Sequence, residues 1–269
     1  MLHLSALTDR RRIAVIELRG VIGGAVKTNE LIRTLGAVRR NRSLRAMVLV
    51  VDSPGGAATE SEAVFFAVRK VAAEKPVVAW IRGTGASGAY FAACGATRIL
   101  AFPSAIVGSI GVISVRPIAV EALRRLGTSI QVTKTGPFKD LGAPWKEPSE
   151  EDRAKEAALV DAIFRRFTQA VAGARGFDDG ELARVTSGEV WLAPEALSLG
   201  LIDGLCDDEG AALREAQQLA GLPHRRTVRL GPRRTVLQRL GVPGAGMGPP
   251  GPRWIAELDG WLRSPRLRM

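Results

Sequence analysis

The first hundred positions alternate between short unbroken apolar runs and helical stripes. Ile13–Leu18 (IAVIEL), Ala46–Val51 (AMVLVV) and Pro76–Ile81 (PVVAWI) are apolar on nearly every position, the pattern of strands covered on both faces. Between the first two, Thr28–Arg39 sets Leu31, Ile32, Leu35 and Val38 on one stripe, which predicts a helix. Thr59–Glu74 predicts a second, opened by a Thr59-x-x-Glu62 capping box. A short apolar helix is expected over Gly88–Cys94, strands over Arg98–Ala101, Gly111–Val115 and Ser129–Thr133, and a helix over Pro117–Leu126. Segment Thr135–Lys146 (TGPFKDLGAPWK) carries too many Gly and Pro for regular structure. A long helix follows over Ser149–Ala172, opened by Ser149-x-x-Asp152. One or two short helices within Glu181–Gly204, around Leu192–Leu199, and another over Asp208–Ala220 complete the series. Strands alternating with helices predict an α/β fold with a largely parallel sheet.

Composition narrows the class. Of 269 residues, 46% are hydrophobic and 24% charged, enough to bury a core and too apolar for general disorder. Cys94 and Cys206 cannot staple a chain of this length and form no zinc signature. The formal charge of +11 is uneven: from Leu222 onward ten arginines face two acids. Residues 1–221 therefore read as the globular domain and residues 222–269 as an Arg/Gly/Pro-rich extension, a linker or ordered arm. Within it Arg253–Arg263 (RWIAELDGWLR) sets Trp254, Leu258, Trp261 and Leu262 on one helical face. Such a basic amphipathic helix suits either a membrane interface or docking on protein, so the stretch 225–268 is a candidate for peripheral membrane contact. No run of eighteen apolar residues and no signal-peptide order occur. The expected location is cytoplasmic or membrane-associated, and no nucleic-acid partner is expected.

Two glycine-rich turns follow buried strands, VVDSPGG (Val50–Gly56) and GTGASGAYFAAC (Gly83–Cys94). Consecutive glycines let backbone N–H groups face an anion or a carbonyl oxygen, although a tight turn alone would ask for the same residues. Neither turn matches a phosphate loop or a dinucleotide fingerprint. Ser87 stands at the start of the apolar helix, where the macrodipole favours a developing negative charge; a helix cap is the structural alternative. Ser53 is a second candidate, in a turn. A serine nucleophile needs a base, yet His3 and His224 lie near the chain ends. Lysine is the other known solution and must be neutral to act. Among seven lysines, Lys70, Lys75 and Lys155 lie among charged neighbours, whereas Lys139 sits between Phe138 and Leu141 with Trp145 nearby. The adjacent Asp140 would hold a proton on that amine if the two side chains met.

DSPGG, then GASGAYFAACGATRILAFPSAIVGSIGVI, then GPFKDLGAPWKEPSEEDR, with VWLAPEALSLGLIDG downstream, closely resemble the signal peptide peptidase A (SppA) type of serine peptidase. The likeness runs from about Ile13 to Gly221. It implies a ClpP/crotonase-type spiral of βαβ units and hydrolysis of peptide bonds through an acyl-enzyme, without cofactor or metal. By the same resemblance Ser87 matches the nucleophile and Lys139 the general base. Gly56 and Gly88 match the oxyanion-hole donors, and Ser109 a serine that positions the lysine. Implied partners are peptide substrates, namely remnant signal peptides or other apolar extended segments. In simpler members the lysine of one subunit serves the serine of its neighbour within a homo-oligomeric ring. Many members carry an N-terminal membrane anchor, and this chain starts almost at its first strand; the Arg-rich tail is also outside the resemblance. Two other functions share the fold or its surface: a crotonase-like acyl-CoA enzyme, and an inactive membrane-surface scaffold working through the basic tail.

Overall fold

The computed structural model describes residues 11–231. Strand β1 (Arg12–Arg19), helix α1 (Thr28–Arg40), β2 (Leu44–Ser53), α2 (Ala58–Ala72), β3 (Val77–Ala86) and α3 (Gly88–Ala93) follow in strict alternation. The rest of the described chain runs β4 (Arg98–Ala101), β5 (Ile106–Gly108), α4 (Val120–Arg125), α5 (Glu150–Arg175), α6 (Asp179–Val185), β6 (Val190–Leu192), α7 (Ala193–Ser198), β7 (Gly204–Leu205), α8 (Glu209–Leu219) and β8 (Thr227–Leu230). His3 and the amphipathic stretch with Trp254 and Trp261 lie outside the described residues.

The sheet orders its strands β6-β5-β3-β2-β1-β8, with β4 and β7 off that path. All pairs are parallel except β5 with β6. Consecutive apolar residues on the central strands fill both faces, since side chains alternate across a strand. Ala14, Ile16, Met47, Leu49, Ala79 and Ile81 face α1, α2 and α3. Val15, Val48, Val50, Val78 and Trp80 face Ala212, Leu213 and Ala216 of α8. Strand β3 forks: its lower half, Val78–Ile81, pairs with β4, and its upper end, Thr84–Ala86, pairs with β5. That fork carries the β3–α3 turn away from the lower sheet and onto β5.

Several expectations are corrected. Helix α2 begins at Ala58 with Ala57 as N-cap and no side-chain cap. The expected capping box is absent because the Ala57 N–H is held by the Ile22 carbonyl at 3.0 Å, and Glu62 instead accepts from Arg166 Nε at 2.7 Å. Gly111–Val115 and Ser129–Thr133 form no strand; β5 lies upstream instead. Ile130 and Val132 have strand-forming side chains but stand exposed, and strand propensity without a neighbouring strand to pair with does not build one. Val190–Leu192, expected within helical sequence, pairs antiparallel with β5. Past Gly221, Thr227–Leu230 pairs parallel with β1, so the sheet runs into the segment read as linker or ordered arm. Among the described residues, no helix is long and apolar enough to cross a membrane.

Helix α3 is fully buried, and Phe91 stacks on Phe167 of α5 at 4.7 Å and meets Phe65 of α2 at 4.9 Å. Phe91→Ala is expected to cost about 3–5 kcal/mol in chemical denaturation; a loss below about 1 kcal/mol would contradict this packing.

Candidate active site

Ser87 is the single residue between β3 and α3. Its backbone is left-handed, φ 54° and ψ −126°, a region that a side-chain-bearing residue enters only under constraint. The constraint is visible. The Ser87 N–H donates to the Gly108 carbonyl at 2.7 Å, and its own carbonyl accepts from the Phe91 N–H at 2.9 Å. The first bond continues the β3–β5 ladder, in which Ala86 is paired with Gly108. One residue beyond Gly108, Ser109 is also left-handed at φ 52°, and among the described residues it is the only other non-glycine with positive φ. Its N–H donates to Glu189 at 2.5 Å. The two serines therefore leave the ends of neighbouring paired strands with the same positive φ.

The DSPGG turn meets this elbow directly. Ile22 bridges it, its N–H donating to the Gly55 carbonyl at 2.8 Å and its carbonyl accepting from Ala57. Gly56 is left with an N–H that no described residue accepts, and the N–H of Gly88, at the first position of α3, is equally free. Helix starts carry such orphan donors by construction. The contacts are tight enough to require glycine. A Cβ on Gly55 would stand 2.7 Å from the Gly88 nitrogen and 2.9 Å from Ser87 Cβ, and one on Gly56 would overlap the Ile22 carbonyl. A Cβ on Gly88 would meet Ser61 Oγ and come within 3.4 Å of the Gly56 nitrogen. Ser61, which the sequence reading did not single out, donates to the Ala57 carbonyl at 2.9 Å and forms the floor under Gly88. Its only signal in the sequence is its position one turn into the helix after DSPGG. Ser53 accepts from the Gly55 N–H at 3.1 Å and is fully buried, which makes it a turn-holding residue.

Lys139 belongs to the segment between α4 and α5. It is exposed, on a turn whose backbone is closed by its N–H to Gly136 at 3.2 Å, and within one chain it makes no hydrogen bond or ion pair with Ser87. Asp140 does not hold it either. That carboxylate accepts from Lys134 Nζ at 2.7 Å and Lys146 Nζ at 3.0 Å, and hydrogen bonds from those two ammonium groups lower its pKa to about 2. Lys146 also reaches Asp152 at 2.8 Å, the residue whose capping box with Ser149 starts α5. The lysine turn is thus fastened to the first turn of α5 by charges that leave Lys139 itself unused.

The downstream Val190–Gly204 stretch supports the elbow from behind. The Trp191 ring lies on Gly108, where a Cβ would approach within 2.6 Å. Tyr90 of α3 donates to the Leu201 carbonyl at 2.7 Å, and Asp203 takes two bonds from Arg175 and one from the Ile99 N–H. Burial pushes the Cys94 thiol up to about 12 and also raises Cys206, so both are packing residues. No cluster of three or more His, Cys, Asp or Glu among the described residues could share a metal ion.

The sequence profile described as peptidase family S49 matches residues 69–223. The chain belongs to peptidase family S49. MJ0651 of Methanocaldococcus jannaschii is 30% identical over 200 residues, 74% of this chain and 64% of that protein. The chloroplastic serine protease SPPA of Arabidopsis thaliana is 28% identical over 82% of this chain and 34% of its own length. The S49 chain thus spans between one third and two thirds of these relatives. A solved structure of a mutant 1510-N membrane-bound stomatin-specific protease superposes with a TM-score of 0.50 at 15% identity, over 83% of this chain and 99% of that one. That likeness confirms the ClpP-like α/β fold.

Two outcomes follow from the geometry. Relief of the left-handed strain makes Ser87→Gly more stable than Ser87→Ala, by about 1–2 kcal/mol, in urea denaturation; equal stability would mean that the elbow is unstrained. The depressed Asp140 carboxylate adds stability that is complete above the ordinary carboxylate range near pH 4 and is lost as pH falls through about 2. Fluorescence of Trp145, on the same turn, should change in that acid window in the wild type. In Asp140→Asn no such acid transition should remain; a wild-type midpoint near 4 would contradict the lysine clamp.

Proposed function

We propose that the chain is a serine endopeptidase acting through an acyl-enzyme on Ser87. The observation that carries this reading is the strained Ser87 elbow flanked by the unengaged N–H groups of Gly56 and Gly88. Attack by Ser87 Oγ on a peptide carbonyl puts negative charge on its oxygen, and two preorganised backbone donors stabilise that charge in a buried setting. Removing one such donor typically costs about 3–4 kcal/mol in the transition state. The general base is the Lys139 amine, which takes the hydroxyl proton and returns it to the leaving amine; water then releases the acyl group. Ser109, beside the nucleophile, is the group that holds the amine in place.

Within one chain Lys139 is exposed and makes no hydrogen bond with Ser87, and in this reading the working dyad pairs Lys139 of one copy with Ser87 of another. Two features support this. The lysine turn is held rigidly by Asp140 and Asp152, and Ile130, Val132, Phe138 and Trp145 around it are each 40–49% exposed. Covering those side chains with a second copy would also desolvate the amine, the condition for a neutral lysine. The substrates this reading favours are extended apolar peptides such as remnant signal peptides.

Ser87→Ala and Lys139→Ala should each abolish peptide cleavage, and a fluorophosphonate probe should label the wild type but not Ser87→Ala. A one-to-one mixture of the two inactive variants, dissociated and reassembled, should recover about a quarter of wild-type activity, because random pairing rebuilds that share of sites. Absence of recovery would overturn the shared site, and full activity of either single variant would overturn the dyad.

A further inference from the structure

At the end of the sheet remote from Ser87, a cavity of about 580 Å³ opens between the end of α1, the start of β2, the turn before β3 and the end of α8. Arg39, Arg40, Arg42, Arg45, Lys75 and Glu74 line it. Because Arg45 is the second residue of β2 and Ser53 the last, the cavity lies about 25–30 Å from the elbow at the rise of a parallel strand.

Its charges are unbalanced. Five cations share one carboxylate, and Glu74 is already engaged by Arg39 at 2.8 Å. Lys75 Nζ donates to the carbonyls of Val38 and Asn41 at 2.7 Å each. Both cations therefore have a local role, one in an ion pair and one on the negative end of the α1 macrodipole. Arg40, Arg42 and Arg45 have no carboxylate partner among the described residues, and Arg42 and Arg45 lie beyond the helix end, where complementing the dipole does not explain them. Burial lowers the pKa of Lys75, Glu74 opposes that, and the Arg45 charge lowers it further. The lining itself carries five cations against the single carboxylate of Glu74. Guanidinium forks are the donors best matched in shape and charge to phosphate oxygens.

We propose that this cavity binds a phosphate-bearing anion through Arg40, Arg42 and Arg45. A free polyphosphate group and an anionic lipid headgroup both present this chemistry.

The test uses the full chain. Titration calorimetry with inorganic pyrophosphate runs beside sedimentation with phosphatidylglycerol vesicles, and with phosphatidylcholine vesicles as the neutral control. Saturable pyrophosphate binding should weaken at least tenfold in Arg42→Ala/Arg45→Ala and less in Arg42→Lys/Arg45→Lys, with unchanged thermal unfolding. A loss confined to pyrophosphate assigns a free ligand, and a parallel loss on phosphatidylglycerol assigns the headgroup. Arg40→Ala, an exposed single change, carries the same expectation should the double variant unfold. Equal binding of pyrophosphate and of phosphatidylglycerol by wild type and variants would overturn the proposal. Fluorophosphonate labelling of Ser87 should be the same in all of them, which separates this result from the fate of the peptidase reading.

Discussion

One backbone hydrogen bond, from the Ser87 N–H to the Gly108 carbonyl, sets the geometry of the whole site. It extends the β3–β5 ladder by one step past Ala86 and ends it on a residue that cannot stay extended, since α3 begins at once. The turn is therefore taken in a single residue with positive φ, at a strain of about 1–3 kcal/mol. Buried packing of α3 on α2 and α5 stabilises what the turn costs. Gly108 has to be glycine for the Trp191 ring to lie on it, and Gly55, Gly56 and Gly88 have to be glycine for the two turns to touch. The DSPGG turn, the end of β5 and the Trp191 ring thus pack around the Ser87 elbow.

The electrostatic design divides the lysines by role. Lys134 and Lys146 neutralise Asp140, Lys146 also satisfies the capping carboxylate of α5, and Lys75 covers the carbonyls at the end of α1. Lys139 stands among these with no carboxylate partner among the described residues. Asp140 is engaged by the Lys134 and Lys146 ammonium groups and not by its neighbour Lys139. Rigidity of the turn comes from ion pairs rather than from regular structure, which fits its Gly and Pro content.

Much of this was legible in the sequence, for definable reasons. Continuous apolar runs placed β1 and β2 to within two residues and the first half of β3, because both faces of those strands are covered by helices, while Arg82–Ala86 of β3 reads in the sequence as a glycine turn. The glycine turns announced backbone exposure, and Ser149 with Asp152 announced the start of α5. Strand β5 was missed because its three residues make sense only through their pairing with β3 and β6. Conversely, Ser129–Thr133 carries the residues of a strand without a partner strand among the described residues. Ser61 and the Trp191–Gly108 contact were invisible because they depend on close approaches between remote segments, which spacing along the chain does not encode. The Lys139 environment was readable only as a doubt about Asp140, and the resolution of that doubt lies six residues away on either side, in Lys134 and Lys146.

The account centres on the Gly56 and Gly88 N–H groups as the receivers of developing charge beside Ser87. The most direct measurement is a crystal structure of the chain carrying a phosphonate covalently attached to Ser87 Oγ. The account predicts one phosphonyl oxygen within about 3 Å of both nitrogens. A modified Ser87 whose phosphonyl oxygens all point into solvent, with both N–H groups unengaged, would contradict it.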